Sequence, residues 1–312
     1  MDWFTAGAMV TTRAVHFVAT AITAGSIIFR IAIANALLRS DKAAAASFRT
    51  ATLWVASLGL ATATISGAIW LLLQATSMSG MPFREAMTSD VLSTVIGETQ
   101  FGQVTIIRLA LAIVLTVCLV CDRMAIAQWL GLGAALGLAA SIAWTGHAGS
   151  TLGAAGYLHL AADALHLIAA AAWIGGLVSL IPFLTVARRS ESPSLTHDAA
   201  ERFSTLGIVS VATLLLTGIV NATILVGSPR GLIVTDYGRL LLLKLGLFAA
   251  MFAFAAINRL SLTPRLACSG KEQQSIVLRK LTRNTAIEIA LGLGILAIVG
   301  MLGIMHPAVH FG

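Results

Sequence analysis

Residues 158–186 read LHLAADALHLIAAAAWIGGLVSLIPFLTV, and the only ionisable side chains among them are His159, Asp163 and His166. A hydrocarbon core about 30 Å thick needs about 20 apolar residues per helical crossing. Backbone groups in lipid must pair within their own segment, so a run of this length and composition predicts a membrane-spanning helix. Seven more runs share the character. With 158–186 they lie near Ala14–Leu38, Thr50–Gln74, Val104–Cys121, Ala125–Thr145, Leu158–Val186, Ser204–Val226, Arg239–Ile257 and Thr285–Met305. The expected fold is all-α, a polytopic membrane helical bundle of about eight transmembrane helices in one domain.

Composition agrees. Apolar residues make up 58% of the chain and charged residues 11%, against roughly 45–50% and 25% in soluble domains. A soluble fold of 312 residues cannot hide that much apolar surface beneath a charged shell. The net charge of +7 reads as topology and not as a nucleic-acid surface. Of 20 basic residues, 13 sit in alternate connectors. These are Arg39, Lys42 and Arg49 in the first, Arg123 in the third, Arg188, Arg189 and Arg202 in the fifth, and Arg259 to Arg283 in the seventh. Cytoplasmic loops collect Lys and Arg, which predicts both termini on the extracytoplasmic side of a bacterial cytoplasmic (inner) membrane. The start of the chain has no basic n-region with a small-residue cleavage site, so the first run reads as a retained helix. No convincing internal repeat is visible.

That topology sorts the histidines. His16, His147, His159, His166, His306 and His310 fall toward the outer side, and only His197 toward the cytoplasm. His159, Asp163 and His166 are spaced i, i+4, i+7, on one helix stripe. Asp at membrane depth costs roughly 2.5–3.5 kcal/mol on the insertion scale, so these groups should face the bundle interior. Imidazole is the commonest metal ligand, and His16, His147, His159 and His166, with Asp163, form the expected metal site near the outer rim. The bland alternative is hydrogen bonding between helices. Met78, Met81, Met87 and Met305 add soft thioethers suited to Cu(I), although methionine is common as packing. Cys118 and Cys121, at i, i+3 near the inner end of the third run, could receive a soft ion there or simply pack. Arg30, Lys244 and Glu288 are intramembrane charges, and Arg30 and Glu288 are placed to pair. Asn221 is a further internal hydrogen-bonding group. Trp173, Gly175 and Gly176 suggest close helix packing.

Several motifs together resemble the copper resistance D (CopD) family. They are Gly146-His147-Ala148, His159-x3-Asp163-x2-His166 and Trp173-x-Gly175-Gly176-Leu177. Later come Arg202-Phe203-Ser204, Thr217-Gly218, Tyr237-Gly238-Arg239 with Lys244, Asn258-Arg259 and Glu288. The resemblance spans most of the chain after Gly146, and before it rests on topology and His16. It implies a bacterial inner-membrane protein of copper handling, thought to move a copper ion, Cu(I) or Cu(II), inward. It also implies a periplasmic copper-binding β-barrel partner of the CopC type. No phosphate-binding Gly-x4-Gly-Lys-Ser/Thr segment is present, so transport would draw on a gradient or on binding energy. A transporter and not an enzyme is expected, with no catalytic residue. A competing reading is a membrane redox protein holding haem b between two of the outer histidines. A copper-binding sensor or scaffold is a third.

Overall fold

The computed structural model describes residues 3–311 except 152, 191–192 and 269–270, and all their side chains except those of 3–4, 193, 267–268, 271 and 310–311. Every regular element among the described residues is helical. Eight helices are long and apolar enough to cross a membrane: α1 (Thr5–Leu37), α2 (Lys42–Ser79), α3 (Gln100–Val120), α4 (Ala125–Thr145), α5 (Gly153–Arg189), α6 (Ser194–Val226), α7 (Asp236–Leu266) and α8 (Glu272–Leu302). The chain is a multi-pass membrane protein. All eight expected runs fall on these helices, but most helices are longer. At 1.5 Å per residue the 38 residues of α2 span about 57 Å, so its ends project beyond a 30 Å core.

With an even number of crossings, the chain begins and ends at one face, here the terminal rim. The opposite face, the basic rim, carries the Arg- and Lys-rich connectors. Short helices decorate the terminal rim: Phe83–Ala86 and Ser89–Glu98 before α3, His147–Ser150 before α5, and Pro229–Val234 before α7. Helix ends follow local chemistry. Thr99 accepts from the Gly102 N–H at the start of α3, and Thr235 from the Gly238 N–H at the start of α7, both at 3.0 Å. Asp41 caps α2, accepting from the Ala44 N–H at 2.9 Å. That N–H and the Ser190 hydroxyl hold the Asp41 carboxyl below the usual carboxylate range.

α1 and α5 form the centre. In their most apolar windows 72% and 67% of residues are buried, against 17% for α6 and 6% for α7, which face outward. The two central helices touch through glycine. A Cβ on Gly25 would strike the Ala171 carbonyl and Gly175, and one on Gly175 would strike the Ala21 carbonyl and Gly25. The contact is reciprocal at a constant separation of 150 positions, as a two-fold axis between α1 and α5 would make it.

That reciprocity uncovers an internal duplication, correcting the reading of no repeat. α1, α2 and α3 correspond to α5, α6 and α7. Thr99, Phe101, Gly102, Arg108, Asp122 and Arg123 match Thr235, Tyr237, Gly238, Lys244, Asn258 and Arg259, all at one offset. His16 matches His166, and Ser66-Gly67 matches Thr217-Gly218. Units four helices apart have the same membrane orientation, a parallel repeat of the sort seen in some transporters. Outside these polar and glycine positions the matching is mostly between interchangeable apolar residues, which is why it escapes a reading of the sequence alone.

The intramembrane charges also differ from expectation. Arg30 does not pair with Glu288. It donates to Asp122, a buried residue just beyond α3, and Arg49 donates to the other carboxylate oxygen. Glu288 accepts instead from Asn258 Nδ2 at 2.7 Å and from the Trp173 indole. Both arrangements sit at π-helical turns, Arg30–Ala34 in α1 and Asn258–Leu262 in α7. Arg30 and Asn258 each open one of these turns, and such turns recur at functional positions.

Candidate metal pathway

The central helix α5 positions most of the predicted ligands. His159, Asp163 and His166 line one stripe of it over about 10 Å of rise. His159 is 1% exposed, while Asp163 and His166 are half-buried. At the rim end, the Thr151 hydroxyl lies 3.1 Å from the His147 carbonyl and 2.8 Å from His159 Nδ1. A carbonyl can only accept, so with the hydroxyl proton directed there, His159 Nδ1–H donates to Thr151 and the lone pair stays on Nε2. His147 Nε2–H donates to the Leu302 carbonyl at 3.2 Å, which leaves its own lone pair on Nδ1. His147 and His159 are close enough to influence each other electrostatically, and the ring of Tyr237 stands edge-on to His147 with centroids 6.3 Å apart.

Deeper, His166 is oriented the same way. Thr217 donates to the Thr213 carbonyl at 2.6 Å and therefore accepts from His166 Nδ1–H at 2.9 Å. The lone pair again falls on Nε2. Between the two histidines, Asp163 accepts from Asn221 Nδ2 at 3.1 Å, and the other side-chain end of that amide, Asn221 Oδ1, is buried without a partner. Lys244 of α7 sits near enough to act on both Asp163 and His166 without contacting either directly. The stripe thus holds imidazoles steered by threonine hydroxyls, the outer-shell arrangement that fixes ring orientation in metal sites, with one carboxylate between them.

His16 is different. Its Nδ1 lies 3.1 Å from Ser66 Oγ, and Ser66 donates to the Thr62 carbonyl at 2.6 Å, so Nδ1 carries the proton. Its Nε2 accepts from Arg108. Both ring nitrogens are committed. Arg13 and Arg108 stack on Trp70 at 4.7 and 5.9 Å from the ring centroid, so two cations flank this imidazole. Arg13, which precedes the expected start of the first run and went unnoticed there, is 5% exposed. The expected single centre of four histidines is therefore not formed. His16 faces α2 and α3, while His166 faces α6.

Among the described residues, the only three His, Cys, Asp or Glu side chains with ligand atoms within 4.8 Å of one another are His197, Asp198 and Glu201, at the basic rim. His197 already uses Nδ1 toward the Thr263 carbonyl, at 3.1 Å, and two carboxylates suit a hard cation better than Cu(I). Met78 and Met81 are exposed around the end of α2, and Met87 is half-buried in the connector that follows. Met305 packs against the Val226–Tyr237–Leu302 cluster, and His306 is exposed beside it. The side chain of His310 lies outside the described residues. Cys118 is buried against Gly131, and Cys121 is exposed at the end of α3. His16 is turned away from the other three histidines, so it faces none of them across a haem.

The fold and this stripe define an integral membrane protein with a line of oriented histidines and one carboxylate along its central helix. The chain belongs to the copper resistance protein D family: a model of the "copper resistance protein D-like, N-terminal domain" matches residues 2–157, and one of "copper resistance protein D" matches residues 197–302. It is 29% identical to copper resistance protein D of Pseudomonas syringae pv. tomato, over 78% of this chain and 80% of that protein. It is 30% identical to inner membrane protein YebZ of Escherichia coli (strain K12), over 77% and 82%. Copper transport protein CutJ of Bacillus subtilis (strain 168) is 27% identical over 89% of this chain, which spans 50% of that relative. No solved structure matches. Copper handling at the level of the family and a multi-pass place in the inner membrane follow.

Proposed function

We propose that the chain carries copper inward across the membrane along the α5 stripe. The observation that carries this reading is the line His159, Asp163, His166, in which a threonine hydroxyl accepts from each histidine's Nδ1–H, so that the neutral ring presents its lone pair at Nε2. A rise of about 10 Å along the helix from His159 to His166 suits successive stations, with Asp163 one helical turn from each. The terminal rim faces outward in this reading, because the basic loops are retained in the cytoplasm. A periplasmic copper-binding protein of the CopC type would present the ion to His147 and His159, with the rim thioethers Met78, Met81, Met87 and Met305 and the exposed His306 as soft accessory ligands. Lys244 is the resident counter-charge of Asp163, and an arriving cation displaces that interaction. Cys118 and Cys121 would take a soft ion near the cytosol, where thiols stay reduced. The name of the relative CutJ supports transport as the activity.

The test is flux. Purified protein in liposomes, with a Cu(I)-specific chromogenic chelator trapped inside, should colour the lumen faster than protein-free liposomes when reduced copper is added outside. The His159→Ala/His166→Ala double variant should fall to the protein-free rate. Wild-type protein that binds copper but gives only that background rate would refute transport and leave a sensor or scaffold.

A further inference from the structure

The basic-rim half of the second unit contains a chamber that the copper pathway does not use. A cavity of about 410 Å³ lies among α5, α6, α7 and α8, within the usual size range of small-molecule pockets. Its mouth opens between α6 and α7, where Ile208, Leu215 and Phe252 are each about half exposed, so entry is from the lipid. Trp173, Phe203 and Phe252 give it flat aromatic walls. Its inner end is polar. The Glu288 carboxylate, 1% exposed, stands there with Asn258 and Trp173 as its donors. Beside it the Thr285 hydroxyl is 0% exposed and has no hydrogen-bond partner. A buried hydroxyl left unpaired costs about 1–3 kcal/mol, and because Thr285 lines the cavity, rotation of its side chain toward the chamber would let an occupant supply the missing partner.

The other unit shows what the same place looks like when it is closed. Asp122, the counterpart of Asn258, is clamped by Arg30 and Arg49, and the cleft beside it, lined by Arg30, Cys118 and Asp122, is small. The second unit has neutral Asn258 at that position and an open chamber.

We infer that this chamber binds a membrane-soluble quinol: a flat hydroxylated ring with an apolar isoprenoid-type tail. The ring lies between the aromatic walls, one ring hydroxyl donates to Glu288 and accepts from or donates to Thr285, and the tail leaves through the α6–α7 mouth. An acyl chain alone would satisfy the apolar walls but leave Thr285 unpaired. This inference does not rest on copper transport, and either can fail without the other.

The probe is a decyl-tailed benzoquinol, titrated into the detergent-purified full chain and followed by quenching of tryptophan fluorescence, with a Trp173→Phe variant to assign the signal. Gly207 lines the cavity, and a Cβ there meets nothing within 4 Å, so Gly207→Leu fills the chamber without strain. It should weaken binding at least tenfold. Gly133→Leu, at an exposed α4 position equally free of neighbours, should not. Thr285→Val and Glu288→Gln should each weaken binding several-fold, and copper affinity should be unchanged in Gly207→Leu. Independently of any variant, solvent extraction of the wild-type protein should release quinone or quinol in near-stoichiometric amount. Equal quinol affinity in wild type and Gly207→Leu, or an extract holding only phospholipid, overturns the proposal.

Discussion

The two halves of the molecule carry the same histidine in opposite electrostatic settings. His16 and His166 occupy matching positions on the two central helices. Each is bonded through Nδ1 to a hydroxyl, Ser66 or Thr217, that itself donates one turn back along its helix. Each Cε1 faces the following glycine: a Cβ on Gly67 would come within 3.2 Å of the His16 atom, and one on Gly218 within 3.7 Å of the His166 atom. Three positions away from each histidine the halves diverge, with Arg13 in the first and Asp163 in the second. The residue matching Lys244 is Arg108, which closes on the His16 Nε2. The first site is doubly cationic and has every imidazole nitrogen engaged. The second balances one cation with one carboxylate and leaves a lone pair exposed. A duplicated frame thus carries one imidazole enclosed by two cations and one with a carboxylate beside it, and the difference resides in the charges around the ring, not in the ring.

The halves should separate most widely in stability at their second pair of matched positions. Asp122→Ala strands two guanidiniums, one of them buried, and should cost about 3–5 kcal/mol. The matching Asn258→Ala removes hydrogen bonds to Glu288 and Asn284 without stranding a guanidinium and should cost about 1–3 kcal/mol. Denaturation of both variants in the same detergent checks the order. Equal losses would mean that the Asp122 clamp contributes no more than its neutral counterpart.

How much of this was legible in the sequence follows from what each feature depends on. Eight crossings, and the spacing of His159, Asp163 and His166 on one stripe, depend on local composition and helical period, and both were readable. Helix ends were not. Hydropathy detects only the part of a helix at lipid depth, so Arg13, inside α1, fell before the first expected run; Asp122 lies in a connector in both readings, and its burial comes from the non-local contacts with Arg30 and Arg49. The rotation of α1 relative to α5 was also hidden. It is set by the Gly25–Gly175 contact, a non-local event, and it sends His16 away from His166. The duplication rests on a handful of polar and glycine positions within interchangeable apolar ones. Arg30 was assigned to Glu288 by depth alone, which ignores the π-turns that Arg30 and Asn258 open.

Copper affinity should distinguish the halves next. Replacing His159 and His166 together with alanine should weaken copper binding by 100-fold or more, equivalent to about 2.7 kcal/mol, with the helical fold retained. His16→Ala should change copper affinity less than twofold while lowering thermal stability, because it leaves Arg108 buried without its acceptor. Titration against a competing chelator of known affinity, on each purified variant, gives the numbers. A loss at His16 equal to that of the double variant would place the ion in the first half and undo the contrast.

The finest distinction concerns the hydroxyls. Ser66 and Thr217 make the same pair of bonds, so Ser66→Ala and Thr217→Val should each cost about 1 kcal/mol of stability, the net contribution of one such bond. Their effect on copper should differ. Removing a group that orients a metal-binding histidine lowers affinity by roughly tenfold, and Thr217→Val frees His166 to rotate Nε2 off the stripe. Ser66→Ala loosens a ring whose Nε2 is already held by Arg108, so copper affinity should stay at the wild-type value. Comparing the two variants by denaturation and by copper titration isolates orientation from packing, since the stability losses match and only one affinity moves. Were Thr217→Val to lose stability without losing copper, His166 would be a packing residue like His16, and the pathway would end at His159 and Asp163.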